Sequence, residues 1–207
     1  MKKLSFFLAL PVIALALPIL TGCSATNKPS TFNVTNIDPL AAIPVSSLSE
    51  ESNLRGLPRV HFLAVQDARD SQNLIEVGTK MVKPTGDPLP IAQKMLESGF
   101  RGAGYAVVVF DSPPIRTQIT EWRLVVYPGF PTVRYEGFAE IGIELLDAAG
   151  KIVYKANYRS NVSGRTLYLN DESAGEYLAR VMWGAINEAI KDYQLREKII
   201  AYQPIIK

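Results

Sequence analysis

The 207-residue chain holds one cysteine, Cys23, and one histidine, His61, so any chemistry that draws on either has a single candidate. Zinc is held by three or four His, Cys or acidic ligands, and no spacing here supplies them; no metal and no cofactor is expected. His61 lies between Val60 and Phe62 with nothing to mark a serine partner, and reads as structural or solvent-facing rather than as a general base. Gly99-Phe100-Arg101-Gly102-Ala103-Gly104 has the glycine count of a phosphate loop. It sits at the end of an expected helix, however, where the dipole is negative and disfavours phosphate. The polar cluster with most chemical capacity is "QDARDSQN", Gln66 to Asn73. Asp67 and Asp70 flank Arg69 where a strand ends, and loops in such places often carry function. A carboxylate pair can bind calcium or serve as acid and base; an arginine between the two offers neutralisation instead, and a salt-bridged turn is the expectation. No catalytic residue is assigned.

The elements that must position this cluster follow from periodicity. "RVHFLAV" (Arg59 to Val65) reads as a short strand and "LIEVGTKMV" (Leu74 to Val82) as a poorer one, broken by Gly78. Asp87-Pro88-Leu89-Pro90 opens a helix, with Asp as cap and Pro in the first turn. Its apolar face carries Ile91, Met95, Leu96, Phe100 and Ala103, and Gly104 is its left-handed stop. "YAVVVF" (Tyr105 to Phe110) suits a buried strand. A long strand from Thr117 to Tyr127 sets Thr120, Trp122, Leu124 and Val126 on one face, and "YPGFP" turns the chain. In the hairpin that follows, Ala139, Ile141, Ile143 and Leu145 alternate with Glu140, Gly142 and Glu144. Past Asp147 to Gly150, Ile152, Tyr154, Ala156 and Tyr158 alternate with Lys151, Val153, Lys155 and Arg159. Acids on one strand facing bases on the next support this register. A helix begins after Asn170, with an apolar stripe from Ala174 to Ile190, and Leu195, Ile199 and Ile200 add a further helical turn. The expected fold class is α+β: a two-layer sandwich of a mostly antiparallel sheet with two main helices on one face.

The N-terminus belongs to a different category of sequence. Lys2 and Lys3 precede the uncharged run "LSFFLALPVIALALPIL", Leu4 to Leu20, which ends in small residues. That is the pattern of a secretory signal peptide. Seventeen residues are short for a bilayer span,, and Pro11 and Pro18 each break helical hydrogen bonding. Leu20-Thr21-Gly22-Cys23 resembles the lipobox of bacterial lipoproteins. The resemblance implies cleavage before Cys23, a thioether to diacylglycerol and an acylated amino group. One acyl chain anchors marginally, at about 0.8 kcal/mol per buried CH₂, whereas three anchor firmly. Ser24, where an Asp often signals inner-membrane retention in such proteins, implies an outer-membrane position facing the periplasm. Removing residues 1–22, with two lysines and no acid, takes the net charge from +2 to zero. A neutral chain with no basic run has no global field to hold nucleic acid or an anionic lipid surface. The expected organisation is a signal peptide at 1–22, an acylated cysteine and polar tether at 23–57, and a single α+β domain at 58–207. Within the tether, "TFNVT" (Thr31 to Thr35) alternates as an edge strand does, so part of it is expected to dock.

"VHFLAVQDARDSQNLIEVGT", followed by a helix ending "LESGFRGAGYAVV", resembles the YajG-type family of small envelope lipoproteins. That family opens with a strand, an Asp-x-Arg pair and an Ile-Gly step, then runs through a helix into an apolar strand near "GY", further strands and a C-terminal helix. Asp67-Ala68-Arg69 and Gly104-Tyr105 match, and Val77-Gly78 stands where Ile-Gly is usual. The order of elements is also similar to that of auxiliary lipoproteins of ABC-type envelope transporters. The family resemblance carries over no catalytic residue; the anchor, the tether and the absence of a catalytic set point to a non-enzymatic, membrane-anchored accessory factor that binds an envelope protein. Besides Asp67, Arg69 and Asp70, the contact candidates are the aromatics of "YPGFPTVRYEG": Tyr127, Phe130 and Tyr135, since Tyr and Phe favour interface centres. The alternative is a periplasmic small-ligand binder or cell-wall enzyme with the Asp67/Arg69/Asp70 loop at its mouth.

Overall fold

The structure, a computed structural model, describes residues 31–37, 57–110 and 112–203. The signal segment and Leu20, Thr21, Gly22 and Cys23 lie outside the described residues, as does most of 23–57. Among the described residues the chain forms nine strands and three α-helices. These are β1 (Thr31–Asn33), β2 (Arg59–Phe62), β3 (Gln66–Asp67), β4 (Ile75–Val77), β5 (Lys80–Thr85), α1 (Leu89–Gly102), β6 (Ala106–Val107), β7 (Pro114–Tyr127), β8 (Val133–Leu146), β9 (Ile152–Thr166), α2 (Asp171–Lys191) and α3 (Tyr193–Ala201). The fold is α+β: an open mixed sheet with α1 and α2 packed together on one face.

β7 is the spine. Along one edge it pairs antiparallel with β8 from Ile115↔Leu145 to Tyr127↔Arg134, and β8 continues the meander into β9. Along the other edge three short strands follow one another, all parallel to β7: β2 at Pro114, β3 at Gln118 and β4 at Leu124. β6 extends the sheet beyond β2, and β5 and then β1 extend it beyond β4. The acid–base register of the β8–β9 hairpin is observed, with Glu140 opposite Arg159 and Glu144 opposite Lys155. The bases cover the carboxylates so well that both glutamates are buried although they lie on the helix-free face.

Several elements differ from the sequence reading. β7 carries a bulge between Ile119 and Glu121. A bulge adds one residue to one strand and so reverses the side-chain alternation. Ile115, Thr117 and Ile119 are therefore buried before it, and Trp122, Leu124 and Val126 after it, while Thr120 is exposed. Leu74–Val82 is a two-stranded hairpin rather than one broken strand, because Gly78 at φ +59° turns the chain. The run "YAVVVF" stays in the sheet only for Ala106 and Val107, leaving Val109 and Phe110 exposed. A second register shift, after Leu145, puts Ile152 out of step and exposed.

The helices close the core. The carboxylate of Asp87 accepts the N–H of Leu89 at 3.0 Å to start α1, and Gly104 at φ +87° turns the chain after it. α2 opens on a capping box in which Asn170 and Ser173 exchange side-chain and backbone bonds of 2.9 and 3.1 Å. Trp122 Nε1 donates to the carbonyl of Leu178 at 3.0 Å and ties sheet to helix. The segment 31–37 is part of this core. β1 pairs with β5, and Phe32, Val34 and Ile37 are buried. A Cβ placed on Gly175 of α2 would fall 2.0 Å from the Asn36 carbonyl oxygen, so the backbones meet where only glycine fits.

Candidate functional site

The polar loop is held by its neighbours on the sheet. Val65 N–H donates to Gln93 Oε1 of α1 at 3.0 Å, Gln118 Nε2 donates to Gln66 Oε1 at 3.2 Å, and Ala68 N–H donates to the Ile119 carbonyl at 2.9 Å. From that platform Asp67 and Arg69 close on each other. Arg69 Nε and Nη2 donate to the two carboxylate oxygens of Asp67, both at 2.8 Å, and the Arg69 backbone N–H adds a third bond at 3.2 Å. The side chain of Arg69 is only 4% exposed against 23% for Asp67. A forked pair of this kind is among the stronger hydrogen-bonded ion contacts. The hydrogen bonds from Arg69 hold the Asp67 carboxyl below the ordinary carboxylate range, against the opposing effect of burial. Asp67 is thus ionised at neutral pH with both oxygens occupied. The expected salt-bridged turn is what the structure contains, and Asp70 remains outside it, exposed and without an ion pair among the described residues.

Open clefts flank the loop on two sides. The larger, about 760 Å³, lies between residues 67–73 and the 83–89 segment that leads into α1, with Lys83 and Asp87 among its lining. The smaller, about 360 Å³, runs over β7 and is lined by Glu76, Thr120, Glu121, Arg123 and Glu140. Its charges are paired in a chain. Arg123 meets Glu121 at 2.9 Å and Glu76 at 3.3 Å, and Arg159 meets Glu140 at 2.7 Å. The hydrogen bond to Glu121, assisted by the charge of Glu76, keeps the Arg123 guanidinium even more firmly protonated than usual. The 83–89 wall and the exposed Thr120 were not legible in the sequence. Only the helix-start signal at Asp87-Pro88 touches that wall, and nothing local marks the bulge.

The aromatic candidates separate. Phe130 is 99% exposed at the tip of the β7–β8 connection. Tyr127 is partly covered: the Arg134 guanidinium lies 4.3 Å over its ring, and its hydroxyl donates to Glu136 at 3.1 Å. Tyr135 was expected to be exposed and is not. At 7% exposure it stacks on Tyr177 of α2, ring centroids 4.0 Å apart, because its position on β8 faces the helices. His61 pairs with Pro114 on β7 as a half-buried strand residue.

A third polar constellation went unread. Asp192, between α2 and α3, accepts the hydroxyls of Tyr154 and Tyr158, the latter at 2.7 Å, and caps α3 through the N–H groups of Gln194 and Leu195. Burial pushes the Asp192 carboxyl up, but these four donors outweigh it and hold it below the ordinary range. Burial and the same contacts push the Tyr158 hydroxyl far above its usual value, so it stays a donor. The cluster seals the base of the sheet–helix interface and has the character of a structural joint.

No family model matches the chain, and no curated protein matches it in sequence. Among solved structures, several superpose on it. A protein from Xanthomonas campestris, XCC0632 of the DUF330 family, superposes with a TM-score of 0.50 at 9% identity, covering 70% of this chain and 87% of that one. A minor lipoprotein from Acinetobacter baumannii gives 0.42 at 10% identity, over 72% and 97% of the two chains. Lipoprotein GNA1162 from Neisseria meningitidis gives 0.34 at 9% identity, over 56% and 90%. The first establishes a common α+β fold; the other two superpose too loosely to bear on this chain.

Proposed function

We propose that this is a non-enzymatic, lipid-anchored protein of the bacterial envelope. In this reading it is held through Cys23 on the periplasmic face of the outer membrane and acts there as an accessory factor that binds another envelope protein. The observation that carries it is the juxtaposition of Leu20-Thr21-Gly22-Cys23, directly after an uncharged run, with a folded domain that begins at Thr31. The likeness to lipoboxes and to YajG-type proteins supports the same view. At the candidate site, Asp67 and Arg69 are consumed by each other, which leaves no positioned acid–base pair. Small-molecule pockets enclose most of their ligand, whereas both clefts here are open, and charged side chains stand in the lining of each. Such a surface suits the side chains of a protein partner, with Asp70 on the ridge between the clefts.

The anchor is tested by Cys23→Ser, which is expected to remain unprocessed and to lose its lipid label; a variant that partitions and migrates like the parent would sink the reading. Crosslinking in cells from a photoreactive residue at position 70 is expected to capture one envelope protein reproducibly. The second reading, a small-ligand binder, is favoured by the size of the larger cleft alone. Its test is Asp70→Ala, which leaves the Asp67–Arg69 pair intact. Loss of a ligand-dependent thermal shift in that variant would support it, and capture of a partner that depends on Asp70 would displace it.

A further inference from the structure

The orientation of the sheet is set by where the chain enters it. β1 runs parallel to β5, β5 antiparallel to β4, and β4 parallel to β7. β1 therefore runs against β7, and Thr31 is its end on the side where β7 finishes. Thr31 pairs with Lys83, one residue beyond the row Val82, Ile75, Leu124, so it lies about three or four residues short of the Tyr127 level. Only eight residue steps separate Cys23 from Thr31, and a fully extended chain covers at most about 26–29 Å in that distance. β7, with its fourteen residues, is about 46 Å long,. An anchor at Cys23 thus holds the domain close to the bilayer by its β1 edge, with the end where β7 finishes within reach of the membrane.

That end carries a group of exposed apolar side chains. Val133 pairs with Thr166, so the connection before β8 and the one after β9 leave the hairpin side by side. They carry Phe130, 99% exposed, with Leu167 and Tyr168 exposed at 73% and 71%. Beside them Arg134 and Arg165 face each other across the strands. Like charges in direct register are unfavourable. Arg134 lies over the Tyr127 ring and its one ion pair is a 3.6 Å contact with Glu136, while Arg165 makes no ion pair among the described residues. The acids nearest in sequence to Leu167 and Tyr168 are Asp171 and Glu172, in the first turn of α2. Aromatic rings with basic side chains behind them are the composition of a membrane–water interface, where rings sit at headgroup level and guanidinium groups meet phosphate.

We propose that Phe130, Leu167 and Tyr168 form a membrane-contacting tip that rests in the headgroup region of the bilayer holding the acyl chains, with Arg134 and Arg165 on lipid phosphate. The tip rests on the lipid anchor proposed above. It fixes which way the domain faces: the β8–β9 turn, Asp147 to Gly150, points into the periplasm.

The acylated protein supplies its own labelling system, since a thioether leaves no free thiol on Cys23. Phe130→Cys, Tyr168→Cys and, at the far turn, Ala148→Cys are each labelled with an environment-sensitive fluorophore. They are then placed in vesicles of phosphatidylethanolamine and phosphatidylglycerol. Labels at 130 and 168 are expected to shift to the blue and to lose emission to spin-labelled lipid headgroups, while the label at 148 keeps the spectrum it has in water. Anchored protein in which all three labels report water overturns the tip and leaves the anchor standing. Labelling of the unmodified chain at Cys23 defeats the anchor, and the tip with it.

Discussion

Asp67 and Arg69 show how far residue chemistry alone reaches. An Asp-x-Arg pair offers either a reactive carboxylate or a locked turn, and both use the same atoms. Burial decides: a guanidinium that is 4% exposed needs its carboxylate, because an unpaired buried charge costs far more than the pair returns,. Asp67→Asn is expected to lower stability by about 2–3 kcal/mol, read as a fall in the urea midpoint. Asp70→Asn, outside the pair and exposed, should stay within about 0.5 kcal/mol. Gly175 is the other residue whose type is dictated by contact. Gly175→Ala sets a methyl against the Asn36 carbonyl and is expected to cost about 1–3 kcal/mol by overpacking,. Protection of the Phe32 and Val34 amides from hydrogen exchange should fall first, because the 31–37 segment is what must move.

Among elements, those defined by a local pattern were legible and those defined by a neighbour were not. The stripe of α2, its Asn170 start and the Glu–Lys/Arg hairpin were visible because periodicity and caps are written in adjacent residues. The bulge at Thr120 was invisible, since nothing near Gln118 to Glu121 reveals that β8 skips a partner. "YAVVVF" read as a buried strand by composition, yet β6 pairs with β2 only at Ala106 and Val107, opposite Arg59 and Val60. The α2–α3 junction depends on Asp192, which serves two hydroxyls and two backbone N–H groups at once. Asp192→Ala is expected to cost about 2–3 kcal/mol, the sum of a lost cap and orphaned tyrosine hydroxyls. Circular dichroism should show the helical loss confined to the C-terminal turns, and Asp192→Asn, which can still accept and cap, should recover part of it.

For the whole molecule, Asp67, Glu144 and Asp192 share one consequence. Hydrogen bonds from Arg69 depress the first, a hydrogen bond from Lys155 the second, and the donors around Asp192 the third. A carboxyl depressed in the folded state contributes stability that is complete above the unfolded pKa, about 4, and is lost as pH falls through the folded value. The urea midpoint is therefore expected to hold steady through neutral pH and to drop below about pH 4. Asp67→Asn should flatten that drop. The sequence by itself determined the α+β class and the charge register of the hairpin, because each rests on residues close in the chain. Only the tertiary structure decided how deeply residues 31–37 enter the core, that Tyr135 is buried while Phe130 is bare, and that the Arg69 side chain is almost fully covered beside Asp67. Those outcomes depend on surfaces brought together from distant parts of the chain, where packing against α2 and burial at β7 set energies that local pattern does not contain,.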